Sequence, residues 1–358
     1  MATRYWVGGT GTWDASSTTH WAASSGGASG ASAPTSSDDV IIDGSSGSTF
    51  TITCSSGLAI CNTLTAGFAF SLTLTGTLQV NNGITINSTL SSPTISVNFL
   101  LGTPSLTATF NSFFPLSGNV NLGSSTTIFN WTLGSALNTT GNLIFNSGGF
   151  VNPSNFAITA NAVTYGAIGT TSISLGSCTI TVTGNSWNFG TTTGLTFSGA
   201  SANIVYSNAV SPGPFTFAGG GLTYGNLSFT GSSPGSVTYA ITGSNTFNTI
   251  IASKTFSYTI QLPAGGTTTV SNWTASGLSG VNTLTLTTSS SPTTTNLVKT
   301  GGGNISGVDY VAASYISATP STNTWYVGAN SLNVTGNTGL IFTAAPAGSS
   351  SSNFFMLF

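Results

Sequence analysis

Charge is what this chain has least of. Its 358 residues include three cations and five acids, and glutamate is absent. An average soluble domain is about a quarter charged. The charged residues are Arg4, Asp14, Asp38, Asp39, Asp43, Lys254, Lys299 and Asp309. Three scattered cations cannot neutralise a run of phosphates, so no nucleic-acid partner is expected. A charged bundle or coiled coil needs Glu, Lys and Arg in quantity and is excluded. No apolar run approaches the roughly 18 residues of a membrane span. The opening residues lack the apolar stretch of a secretory signal, so export would use a dedicated apparatus or lysis. Cysteine is scarce as well. Cys54, Cys61 and Cys178 form an odd set with no zinc-ligand spacing. They read as small core residues, with a Cys54–Cys61 bridge as the alternative.

What the chain does have is apolar and aromatic content, with 39% hydrophobic residues, 22 Phe and 7 Trp. That is enough to build a core, and it argues against disorder. The polar remainder is Thr, Ser, Asn and Gly, a composition that suits strands and turns. Apolar residues alternate with Thr or Ser in Phe50-Thr-Ile-Thr-Cys54, Ser71-Leu-Thr-Leu-Thr75, Cys178-Thr-Ile-Thr-Val-Thr183, Val237-Thr-Tyr-Ala-Ile241 and Leu284-Thr-Leu-Thr287. Period two marks half-buried strands. Between these runs lie turn clusters such as Asn81-Asn-Gly83, Ser211-Pro-Gly-Pro214 and Gly301-Gly-Gly303. No window has helical periodicity.

The chain is therefore expected to be all-β. The strand pairs recur roughly every 20 to 25 residues, too many for one sandwich and without a propeller signature. A single-chain parallel β-helix, a β-solenoid, fits this pattern. Its coils stack about 4.8 Å apart. Columns of like charge would repel at that spacing, whereas Thr, Ser and Asn can hydrogen-bond. Neutrality is then tolerable, and the strand ends must be capped or used for assembly.

The ends differ from the middle. Residues 1–45 read as an atypical N-terminal cap, 46–342 as the solenoid, and 343–358 as a Ser-rich linker with an apolar docking segment. Phe354, Phe355, Met356, Leu357 and Phe358 are expected to dock on the solenoid end or on another protein. Trp6, Trp13 and Trp21 offer two readings, a platform for stacking sugars or a small cap core. Asp38, Asp39 and Asp43, with Asp14 and His20 perhaps near, offer a calcium site, an acid/base pair, an ion pair with Arg4, or an Asx turn before a strand at Val40–Ile42. His20 reads as a hydrogen-bonded cap residue. Residues 44–308 carry no carboxylate, so the acid pair that polysaccharide-cleaving β-helices place in a groove is missing. No catalytic residue and no cofactor is expected.

Three stretches carry a resemblance. Arg4-Tyr-Trp-Val-Gly-Gly-Thr-Gly-Thr-Trp-Asp14 through Pro34-Thr-Ser-Ser-Asp-Asp-Val40 resembles the start of Gly/Thr-rich β-helical proteins of tailed phages and environmental viral sequences. Gly243-Ser-Asn-Thr-Phe-Asn248 with Leu262-Pro-Ala-Gly-Gly-Thr-Thr-Thr-Val270 is similar to their repeats. Trp325-Tyr-Val-Gly-Ala-Asn-Ser331 with Asn337-Thr-Gly-Leu-Ile-Phe342 is similar to their closing motif. The resemblance implies a virion fibre, spike or decoration protein, homo-oligomeric, with other virion subunits and a host-surface glycan as partners. A bacterial adhesin or extracellular filament subunit is the alternative.

Overall fold

The alternating runs lie in strands. Thr49–Cys54, Ser71–Ile86, Thr179–Asn188, Val237–Thr242 and Leu284–Thr288 are all extended. In Thr49–Cys54 the side chains of Phe50, Ile52 and Cys54 are buried, while Thr49, Thr51 and Thr53 reach the outside. β-Branched side chains are stiff at χ1 and fit such a pleated, half-buried surface. The structure is a computed structural model. It describes residues 1–55, 58–67, 71–86, 94–100, 107–112, 116, 119–122, 130–166, 169–208, 213–231, 236–322 and 324–346, with 71, 77, 86, 94–100 and 107–112 by their backbone alone.

The strands pair in parallel with strands one coil away and join into a 30-stranded sheet. One ladder runs unbroken from Gly11–Trp13 to Leu332–Thr335. The fold is thus the expected parallel β-solenoid. Coil length varies with the turns: Phe50 is in register with Leu72, and Trp187 with Phe217.

Register stacks like on like. Val120, Leu143, Val163, Trp187, Phe217 and Ile241 form one inward column, fully buried. Aromatic rings stack within the core, with Trp187 and Phe217 centroids 5.9 Å apart and Phe229 and Tyr239 4.1 Å apart. Such pairs add about 0.5–1.5 kcal/mol each beyond the area they bury. Buried tyrosine hydroxyls find carbonyls: Tyr258 donates to Ser276 at 2.7 Å and Tyr224 to Gly219 at 2.9 Å. At the corners asparagines form ladders. The Asn142 amide donates to Asn119 Oδ1 at 2.8 Å, and Asn161 Nδ2 donates to Asn142 Oδ1 at 3.0 Å. Asn203, Asn226 and Asn248 repeat the pattern. An amide can stack because it both donates and accepts; a column of carboxylates cannot.

One expectation changes, and one alternative falls. The ladder begins before residue 46: Thr3–Trp6 pairs in parallel with Asp39–Ile42, and Gly11–Trp13 with Thr49–Cys54. The cap is therefore only the excursion 14–38, inserted into the first coil. Strands of three and four residues are too short for alternation to reveal them. The cysteines are free and buried. They are core residues, and no Cys54–Cys61 bridge forms. Burial pushes the Cys54 thiol up to about 12 and the Cys178 thiol up to about 11, which makes both unreactive.

Candidate functional site

The N-terminal end is closed. Trp21–Ala22 pairs antiparallel with Thr3–Trp6 and covers its outer edge. Trp21 meets the rings of Trp6 and Trp13 edge-on, both at 5.0 Å. His20 stacks on Trp6 at 4.7 Å and 3°. Its Nδ1 lies 2.9 Å from the Val7 carbonyl; a carbonyl only accepts, so Nδ1 carries the proton. His20 also lies over Gly11, where a Cβ would meet the imidazole Nε2 at 2.2 Å, so only glycine fits there. Trp6, Trp13 and Trp21 are 0% exposed. They form the core of the cap, and the sugar-platform reading is corrected: rings buried against each other offer no face to a ligand.

The acids do not converge on one point. Asp38 binds the chain start to the cap, accepting from the Ala2 amide at 2.7 Å and from the Thr35 amide and hydroxyl at 3.0 and 2.8 Å. Burial alone would raise its pKa, but these bonds and the charge of Arg4 outweigh burial and hold it low. Asp39 is the first rung of an asparagine ladder. It accepts from Asn62 Nδ2 at 2.8 Å and from the Thr63 hydroxyl at 2.7 Å, and Asn82 in turn donates to Asn62. Asp43 caps the 3-10 turn Gly44–Ser46 through the Ser45 amide and hydroxyl. Asp14 accepts from the amides of Ser17 and Ser16, which hold its pKa low. The Asx turns are thus at Asp14 and Asp43, whereas Asp38 and Asp39 bridge to other parts of the chain. Each carboxylate has its own donors, and no group of three metal-ligating side chains forms among the described residues. Nothing here supports the calcium reading.

The other charges are tied in the same way. Arg4 donates to the Ser32 carbonyl at 2.9 Å and to its hydroxyl at 2.8 Å. Lys299 donates to the Gly302 carbonyl at 2.8 Å and so fixes the glycine run it precedes. Lys254, 3% exposed, donates to the Gly231 carbonyl, with its ammonium 5.4 Å from the Tyr239 ring centroid. Burial brings it down to about 8. Asp309 accepts from the amides of Tyr310 and Asn330, both at 2.9 Å, and from Asn330 Nδ2 at 2.7 Å. It pins the closing motif to the coil below.

No family model, no curated protein and no solved structure matches this chain. Its own geometry supplies the argument.

Sequence reading missed two features. A lateral groove of about 490 Å³ is lined by Ser201, Asn203, Thr223, Thr246, Asn248 and Ser271. These residues are scattered in sequence and meet only because coils stack. The second is the C-terminal end, where the last strand of the long ladder, Leu332–Thr335, is exposed at all four residues. The predicted docking residues Phe354, Phe355, Met356, Leu357 and Phe358 lie outside the described residues.

Proposed function

We propose that this protein is a non-enzymatic structural rod, a virion fibre, spike or decoration component used in assembly or in attachment to a host surface. The observation that carries this reading is the fate of its charges. Every charged side chain is hydrogen-bonded to a structural partner within the chain. The acids lie near the two ends, and the sides of the rod carry none from residue 44 to 308. Acid/base chemistry needs a positioned group free to exchange a proton with a substrate. What the sides offer is hydroxyls and amides beside apolar surface, as in the groove where Asn203 and Asn248 meet Phe247. That lining suits neutral hydrogen bonding to a glycan, and such contacts are nearly insensitive to salt. Mass spectrometry of purified virions from the source population tests the reading; virions that lack the protein overturn it.

A second reading is a surface adhesin or a subunit of an extracellular filament. The uncovered strand at the C-terminal end favours it, since open edges recruit strands. The closed N-terminal end weighs against head-to-tail growth, which needs two complementary faces.

A further inference from the structure

We propose that the Leu332–Thr335 edge docks a second copy of this chain, tail to tail, by antiparallel pairing of the two edges across a two-fold axis. The inference concerns assembly alone and holds for a virion rod and a cell-surface rod alike. Leu332–Thr335 is the last rung of the long ladder. Its one strand partner among the described residues is Val311–Ser314, so among those residues its other edge has a row of backbone donors and acceptors to offer.

The polarity of this rung is reversed. The outward row reads Thr238, Thr259, Thr285, Ala312 and then Leu332. The inward row beside it reads Tyr239, Ile260, Leu286, Ala313 and then Asn333. The buried row tapers from an aromatic to the methyl of Ala313, and the exposed Asn333 above it accepts a bond from Asn337 at 2.8 Å. A larger apolar side chain appears on the outside where the four preceding rungs of this row placed a hydroxyl or a methyl. Leu332 is 62% exposed, and Val334, the extra residue in a register shift, is 51% exposed. Water is a poor solvent for both.

Charge chooses the occupant. A two-fold contact sets the same patch of both copies face to face, so a net charge on the patch would meet its like across the axis. Residues 310–358 contain no charged side chain. Exposed natural edges are usually blunted by lysine or an inward charge, and this one has neither. The front end cannot serve as the complementary face, because Trp21–Ala22 and His20 cover it.

The test is the mass of the full chain in solution by light scattering, with two variants. The expected mass is twice the 35.9 kDa chain. It falls to the single-chain value in Leu332→Lys/Val334→Lys, which sets like charges across the axis. Val334→Cys forms disulfide-linked dimers on oxidation, over a low background because the native cysteines are buried. A wild-type chain that stays monomeric at high concentration overturns the proposal, as do open filaments or a dimer that survives the double lysine. A dimer that appears only after residues 347–358 are removed also overturns it, since the chain's own tail is then the occupant.

Discussion

The two ends of the rod solve the same problem in opposite ways. Any parallel ladder must stop, and its last strand leaves one edge unpaired. At the front an excursion of the chain folds back over the first coil, buries three tryptophans and pairs the outer edge of Thr3–Trp6. At the rear the chain does neither within the described residues. It shrinks the core to Ala313, sets an exposed Asn333 above it and turns Leu332 outward. The acids follow this division. Four of them gather around the front excursion, where they hold loops, and Asp309 alone holds the rear. On the proposal of tail-to-tail docking, a solenoid with one sealed end and one open end is a defined building block. Two open ends would give uncontrolled fibres.

The largest effect should come from breaking the sealed end. Trp21→Ala removes the ring that joins Trp6 to Trp13, and a loss of about 3–5 kcal/mol in chemical denaturation is expected. Trp21→Phe should cost far less, because the indole N–H of Trp21 has no partner among the described residues.

Asp38→Ala comes next, with a loss of about 1–3 kcal/mol, since it strands the Ala2 and Thr35 amides. The folded pKa of Asp38 is lowered. Its stabilisation is present above the unfolded carboxylate value and is lost as pH falls through the folded one. Acid titration should therefore narrow the gap between wild type and this variant.

The middle supplies a control with the opposite sign. Lys254→Met should stabilise the protein by about 1–2 kcal/mol at pH 7, a figure discounted for solvent screening. The folded lysine titrates near 8 and the unfolded one near 10.5. Wild-type stability gains from this group as pH rises through that window, so the difference between the two proteins should close there. The raised Cys54 value is shared by both proteins and cancels in the comparison.

The smallest effect on folding is expected at the open end. Leu332→Ala should change stability by less than about 0.5 kcal/mol, as expected for an exposed site. A larger loss would mean that this end is packed within the single chain.

Much of the fold was legible because period two survives in a half-buried strand. Phe50–Cys54 and Leu284–Thr287 each name their inward and outward faces without help. Neutrality was legible as a stacking condition, and the Asn119–Asn142–Asn161 ladder is its realisation. The first coil was not legible, because Thr3–Trp6 and Gly11–Trp13 are too short and an excursion separates them from their partners. The fate of the acids was hidden for a similar reason. Asp39 finds its donors on Asn62 and Thr63, one coil on, and adjacency to Asp38 in sequence says nothing of that. The reversal at Leu332 was equally hidden, since it exists only relative to Ala312 and Thr285.

The account rests on a sealed front and an open rear, and one image tests both. In electron micrographs of the full chain with gold bound at its N-terminus, the account predicts discrete rods with gold at both tips. Gold at one tip only, or spaced regularly along open filaments, would contradict it.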